Sequence, residues 1–149
     1  MIHVAIIHRP HLDAIVAGAK HVESRLTKSR RDPFGRVAVG DWVFFKQASG
    51  AFRAAARVSR VVSREGLVVR DVREIRREFG DEIAAPAAYW RERSRARYAT
   101  LMWLGEVHEI SDGPDYRGAG YRSQSAWHVL DRVDEAQALA TLLRMRRSA

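Results

Sequence analysis

The segment at residues 17–31, "AGAKHVESRLTKSRR", carries closely spaced side chains that can bind an anion or move a proton. It contains a lysine, a glutamate and an arginine at Lys20, Glu23 and Arg25. A lysine near a carboxylate can transfer protons when burial shifts its pKa, or it can anchor a phosphate. The same side chains could instead form an exposed ion pair on a strand, which contributes little to stability. Spacing alone favours this second interpretation.

Further side chains are candidates for the rim of a binding site. Four cations would widen an electropositive rim, and such contacts position a nucleic acid by its phosphates: Arg9, Arg30, Arg31 and Lys46. The alternative for Arg30 and Arg31 is a solubilising loop. Three later residues are also candidates for the rim, although their spacing does not place them at the site: Tyr98, Arg122 and Ser123. The four tryptophans can stack on bases, but the core is their commoner place.

Composition narrows the classes of function. The 149 residues include 26 Lys and Arg against 18 Asp and Glu, which gives a formal net charge of +8. An arginine-rich surface suits nucleic acid, although a GC-rich genome would also raise the arginine content. The chain has no cysteine, and its six histidines lack metal-ligand spacing, so we expect no metal and no cofactor. No phosphate-loop, zinc-helix or hydrolase-elbow motif is present.

The elements that position the charged segment can be read from periodicity. Residues 2–7 ("IHVAII") predict a strand, and residues 9–18 ("RPHLDAIVAG") predict a short helix that Gly18 terminates. Lys20 would then lie just beyond the helix cap. Residues 21–27 ("HVESRLT") alternate as a strand that directs Glu23 and Arg25 to one polar face. Residues 28–35 predict a loop.

The rest of the chain predicts further strands with helices between them. Strands are expected at residues 42–46, 50–63, 98–110 and 126–130. Helices are expected at 69–79, with Gly80 after the end, at 85–97 and at 131–147. Residues 111–125 predict a loop. About six short strands with inserted and flanking helices indicate one α+β domain over residues 1–149, a partly closed mixed β-barrel over about 2–130 and a C-terminal helix.

The order "IIHRP…LDAIVAGAKHVESRL…FGRVAVGDWVFFK…ARVSRV" resembles the ASCH family, within the PUA-like superfamily. The resemblance covers roughly residues 2–130, and its most specific part is G-x-K-x-x-E-x-R followed by V-G-D. It implies a PUA-like barrel with a cleft beside the lysine-bearing turn, and RNA or modified-nucleotide binding. It therefore reverses the preference stated above and favours a binding site at Lys20, Glu23 and Arg25.

The resemblance also implies an alternative, because some relatives are amidohydrolases acting on N(4)-acetylcytidine and others are described as ribonucleases. Lys20 matches the lysine of the amidohydrolase branch. Glu23 stands where that branch has a catalytic threonine, which is a departure, and Glu78 or Glu82 would match its catalytic glutamate. The alternative is therefore a small hydrolase in which Lys20 and Glu23 form the acid–base pair.

Partners and location follow from the same observations. The leading expectation is an RNA or nucleotide-binding domain in which Lys20 and Arg25 contact a phosphate or a base carbonyl, and Glu23 either orients Lys20 or accepts from an exocyclic amine. A protein-interaction module that uses the basic C-terminal helix is a further alternative. The N-terminus is a poor signal peptide and no apolar run reaches the length of a membrane span, so we expect a cytoplasmic protein without a membrane partner.

Overall fold

The structure is a computed structural model that describes residues 1–117 and 125–130. Its elements are, in chain order, β1 (Ile2–Ile7), α1 (Arg9–Val16), β2 (Val22–Thr27), β3 (Trp42–Gln47), β4 (Phe52–Glu65), α2 (Val69–Ile83), α3 (Ala87–Glu92), β5 (Tyr98–Glu109) and β6 (Trp127–Leu130). The predicted helix at 131–147 and the rim candidates Arg122 and Ser123 lie outside the described residues.

The six strands form one mixed sheet in the order β2-β5-β4-β3-β1-β6. The pair β1 and β3 is parallel, and every other neighbouring pair is antiparallel. The sheet is a half-barrel, so its two edge strands, β2 and β6, are not hydrogen-bonded to each other. This architecture confirms the predicted α+β mixed barrel of six strands. It also leaves a gap between the two edges that side chains must close.

The helices pack on opposite faces of the sheet. On the inner face, Leu12 and Ile15 of α1 pack with Val43, Phe45 and other apolar residues of the strands. On the outer face, α2 and α3 cover β2, β4 and β5 through a second cluster. A third cluster includes Phe44 and Ile110, and Tyr116 packs against it. Alternate strand residues therefore face two different apolar layers, which explains why both faces of a strand such as β2 are buried.

Two helix boundaries differ from the prediction. Gly80 was expected after the end of the helix predicted at 69–79, but α2 continues through it to Ile83, and its C-cap is Ala84, whose φ of 53° is left-handed. The buried Ile83 continues the apolar stripe of Val72 and Ile75, so tertiary packing outweighs the weak helix propensity of glycine. The helix predicted at 85–97 is limited to Ala87–Glu92. None of the helices among the described residues is long and apolar enough to cross a membrane.

Candidate functional site

The turn after α1 directs Lys20 into the protein. Gly18 has a φ of 78°, a left-handed conformation that glycine adopts without steric cost. The backbone N–H groups of Ala19 and Lys20 both donate to the carbonyl of Ala14, at 2.9 and 3.0 Å. Lys20 Nζ then donates to the carbonyl oxygen of Ile83 at 2.6 Å. Ile83 is the last residue of α2, so the ammonium lies at the negative end of a helix dipole.

Lys20 is a buried cation. Its exposed fraction is 3%, which removes the ammonium from nearly all contact with water. Burial lowers the pKa of Lys20, the Glu23 carboxylate opposes this shift, and the Arg25 guanidinium adds to it. A lysine in this environment exchanges a proton at a lower pH than an exposed lysine does. The interpretation of this trio as an exposed surface ion pair is therefore wrong.

Glu23 is the acidic member of the site. It lies opposite Met102 of β5, so its side chain shares the inner face of the sheet, and its exposed fraction is 6%. Oε1 accepts a hydrogen bond from Arg25 Nε at 3.2 Å. Oε2 is buried and has no hydrogen-bond partner. An unsatisfied buried polar atom is destabilising, so it requires an explanation.

Arg25 spans the gap between the edges of the half-barrel. It lies opposite Thr100 in the register of β2 and β5. Its guanidinium carbon lies 5.1 Å from the ring centroid of Trp127, which belongs to the other edge strand, β6. Its NH2 group donates to the carbonyl of Ile6 in β1 at 3.5 Å. Arg25 is thus half-buried and held on three sides, by Glu23, Trp127 and β1.

Tyr89 of α3 contacts β2 beside the site, through Ser24, and the sequence did not indicate this contact. Its hydroxyl donates to the carbonyl of Ser24 at 3.1 Å and shares a 2.5 Å hydrogen bond with the Ser24 hydroxyl. Burial raises the pKa of Tyr89 to about 12, so the phenol is neutral at pH 7. Arg93 lies over the ring, with its guanidinium carbon 4.0 Å from the centroid. Ser24 faces away from Glu23, as the strand pattern predicted.

His11 of α1 is a second residue that sequence reasoning did not assign to this site. Its ring meets Tyr89 edge-on, with centroids 6.1 Å apart. Burial lowers the pKa of His11, and the Lys20 ammonium contributes to the shift. The only sequence signal for His11 was its position on the helix that precedes Lys20. Tyr89 carried no such signal, because α3 is brought to β2 by tertiary packing alone.

The other predicted rim residues lie apart from Lys20 and Glu23. Arg30 and Arg31 are exposed in the loop after β2, where Arg30 pairs with Glu65 at 3.5 Å and lies over the Phe34 ring. Tyr98 contacts the same Phe34 ring and lies opposite Thr27. Thr27 is four residue steps along the strand from Glu23, about 13 Å at the usual rise. These residues lie at the C-terminal end of β2 and are not part of the buried trio of Lys20, Glu23 and Arg25.

Arg9 and Lys46 also lie outside the buried trio. Arg9 is exposed at the start of α1 and pairs with Asp13 at 3.5 Å. Lys46 is half-buried in β3, and its Nζ donates to the carbonyl of Gln47 at 3.5 Å. Arg9 is therefore available to a ligand that approaches along α1, whereas Lys46 is partly engaged by its own strand.

The two later glutamates do not approach Lys20 through their side chains. Glu82 accepts a 2.7 Å hydrogen bond from the Trp103 indole, and Glu78 is exposed on α2. The end of α2 instead contributes main-chain groups, because the carbonyl of Glu82 accepts from the N–H of His21 at 2.9 Å. Within residues 1–117 and 125–130, no group of three or more His, Asp or Glu side chains could hold a metal ion.

Comparison with known proteins gives a match only at the level of structure. No protein-family model matches the chain, and no curated protein matches it. The chain is similar to the crystal structure of ASCH from Zymomonas mobilis, with a TM-score of 0.69 and 19% identity over 95% of this chain and 94% of that one. It is also similar to a Ser-to-Ala variant of that protein, with a TM-score of 0.67 and 21% identity over 95% of each chain. A Tyr-to-Phe variant matches with a TM-score of 0.67 and 19% identity, over 95% of this chain and 97% of that one. The chain therefore has the fold of the ASCH structures, which confirms the predicted resemblance at the level of the fold.

Proposed function

We propose that this chain, which has the fold of the ASCH structures, binds RNA or a nucleotide at Lys20, Glu23 and Arg25, referred to below as the β2 site. The observation that carries the proposal is the buried Oε2 atom of Glu23, which lacks a hydrogen-bond donor. A ligand N–H group would satisfy this atom. The unpaired oxygen destabilises the free protein, and relief of this penalty in the complex would add to the favourable binding free energy.

The charges of the β2 site favour a base over a phosphate at Glu23. A phosphate would be repelled by the carboxylate, whereas the exocyclic amines of bases are donors. Lys20 uses one ammonium hydrogen for the carbonyl of Ile83, so further donors remain for a base carbonyl. Recognition of an unpaired base through donor and acceptor groups is the usual way in which proteins read single-stranded RNA.

The exposed cations at the far end of β2 would contact the phosphates. Arg30 and Arg31 are exposed, and about 13 Å of strand separates Thr27 from Glu23. A short RNA would contact both ends of β2, whereas a mononucleotide would occupy only the β2 site. Arg9 would add a further phosphate contact beside α1. The ligand would thus be a short single strand whose base enters between Lys20 and Glu23.

Fluorescence anisotropy with labelled single-stranded RNA tests the proposal across a salt series. We expect Lys20→Ala to weaken binding, and we expect Arg30→Ala to weaken it and to reduce the salt slope by about one. Arg73→Ala is the matched control, because it removes an exposed cation from α2, away from the β2 site. Unchanged affinity in both test variants would refute the proposal.

A hydrolase is the second candidate. It is favoured by the buried amine of Lys20, which is near Glu23 in sequence and interacts with the charge of its carboxylate. Burial lowers the pKa of Lys20, which suits a group that takes up a proton from water. Water would add to the amide carbon, the C–N bond would break, and the leaving amine would take the proton. Incubation with N(4)-acetylcytidine, followed by chromatography, tests this activity. Product formation that survives Lys20→Ala would contradict the assignment of Lys20.

A further inference from the structure

A chain of buried polar contacts connects the β2 site to the opposite part of the sheet. Asp41, in the turn before β3, contacts His3 of β1, with Oδ2 and Nε2 2.9 Å apart. The Trp127 indole of β6 donates to His3 Nδ1 at 3.1 Å. The Trp127 ring in turn lies against the guanidinium of Arg25. The contacts therefore run from the turn before β3 through β1 and β6 to β2, across the gap between the sheet edges.

The geometry fixes the tautomer of His3. An indole N–H can only donate, so Nδ1 of His3 must be the acceptor and its proton must lie on Nε2. That proton points at Asp41, whose carboxylate can only accept. Burial lowers the pKa of His3, which is fully buried, so the ring is neutral at pH 7. Asp41 also accepts from the N–H of Ala38 at 3.0 Å, which holds the carboxylate in place.

The orientation of Trp127 decides what Arg25 meets. The face of an indole ring is electronegative and attracts a guanidinium, whereas its edge is electropositive. The hydrogen bond to His3 limits rotation of the ring and keeps the face toward Arg25. Arg25 then reaches Glu23, with Nε and Oε1 3.2 Å apart. The position of the guanidinium beside the unpartnered Glu23 oxygen thus depends on a histidine that lies outside the β2 site.

We infer that His3 and Asp41 are positioning residues of the β2 site, acting through Trp127 to hold the Arg25 guanidinium in place. The effect of this positioning on RNA affinity rests on the proposed function, whereas the positioning of Arg25 itself does not. His3 donates to Asp41 and accepts from Trp127, so the two functions of its ring can be removed separately. This separation gives a direct test.

Two variants retain different halves of the imidazole. In His3→Gln, the amide nitrogen can occupy the place of Nε2 and donate to Asp41, but no acceptor faces Trp127. In His3→Asn, the amide oxygen can occupy the place of Nδ1 and accept from Trp127, but the contact with Asp41 is lost. The readouts are the ¹⁵N–¹H signals of Arg25 Nε–H and the Trp127 indole in the 149-residue chain, the melting temperature, and RNA affinity.

We expect His3→Gln to shift both signals and to weaken RNA binding about tenfold, which corresponds to the loss of one well-placed polar contact. His3→Asn should retain the Arg25 signal and bind within about threefold of the wild type. A role in stability alone would make affinity follow the melting temperature instead of the position of the acceptor. That outcome overturns the inference.

The remaining outcomes separate the two proposals. An unchanged Arg25 Nε–H signal in His3→Gln overturns the inference, whatever happens to RNA binding. A wild type that binds no RNA overturns the proposed function, while the two signals still decide the positioning. If His3→Gln does not fold, Trp127→Phe replaces it, because that variant removes the indole N–H and keeps an aromatic ring. An Arg25 signal that stays unchanged in Trp127→Phe also overturns the inference.

Discussion

The substitution Glu23→Gln tests the central feature of the β2 site. It retains the size and shape of the side chain, removes the charge, and replaces one acceptor oxygen with an NH2 donor. In the free protein Oε1 accepts from Arg25 Nε, and Oε2 has no partner. If a ligand N–H supplies the missing partner, the carboxylate matters more in the complex than in the free protein. The variant should therefore lose more binding free energy than folding free energy.

The two losses can be estimated from the contacts. In the free protein, the hydrogen bond from Arg25 changes from a charge-assisted bond to a weaker one, which costs about 1 kcal/mol. A loss of this size lowers the melting temperature by about 2–4 °C in a protein of this length. In the complex, the buried charge-assisted bond between Glu23 and the ligand is lost, at a cost of about 2–3 kcal/mol. The dissociation constant should rise about 30-fold to 150-fold.

The assay is anisotropy with labelled single-stranded RNA, combined with thermal melting of the same preparations. Glu78→Gln is the matched control, because it makes the same chemical change at an exposed position on α2. The control should leave both affinity and melting temperature within experimental scatter. Measurements at two salt concentrations separate the site from the general effect of a changed net charge, because exposed charges are screened and buried ones much less so.

One result would refute this reasoning directly. If Glu23→Gln lowers the melting temperature and changes the dissociation constant less than about threefold, Oε2 does not receive a ligand donor. The unpartnered atom would then be a structural defect of the buried strand. An equal loss of affinity in Glu78→Gln would also contradict the assignment, because the effect would belong to the net charge.

Two further predictions concern stability. Burial lowers the pKa of Lys20 below its ordinary value. At a pH between the folded and the unfolded pKa values, the unfolded chain therefore binds more protons than the folded chain does. The free energy of unfolding rises with pH in this range. Urea unfolding of wild type and Lys20→Met at neutral pH and at pH of about 9.5 should show this rise in the wild type only; parallel curves would contradict it. Gly18→Ala should destabilise by about 1 kcal/mol because of its φ of 78°, whereas Gly80→Ala inside α2 should stabilise by up to about 1 kcal/mol. Effects of the same sign in urea unfolding would refute this assignment of the two glycines.

The sequence predicted the strands and α1 well because their signals are local. Alternation over 21–27 correctly indicated β2, and the apolar run at 2–7 correctly indicated β1. Gly18 was correctly read as the end of α1, since its left-handed φ is what glycine permits. Gly80 was wrongly predicted to follow the end of its helix, because its conformation is not set by the local sequence. Its helical conformation is imposed by the burial of Ile83 one turn later, which is a tertiary effect.

The candidate site was predictable only where its residues are close in sequence. Lys20, Glu23 and Arg25 lie within one turn and one strand, so their spacing could be recognised. Tyr89 reaches Ser24 from a separation of 65 residues, and no local pattern indicates that contact. The contact of Trp127 with His3 spans 124 residues. Burial of Lys20 and Glu23 likewise depends on parts of the chain that are distant in sequence, such as the carbonyl of Ile83 that Lys20 contacts, and composition does not indicate this.

The burial of the β2 site argues for function because it is costly to stability. Lys20 pays a desolvation penalty that a single hydrogen bond to Ile83 only partly offsets, and Glu23 leaves one oxygen without a donor. Apolar residues of similar size at these positions would commonly give a more stable protein. A sheet edge held only for stability would not need a lysine, a carboxylate and an arginine on its inner face. Under the proposed function, the polar chain from Asp41 through His3 and Trp127 to Arg25 would hold this costly arrangement in place for a ligand.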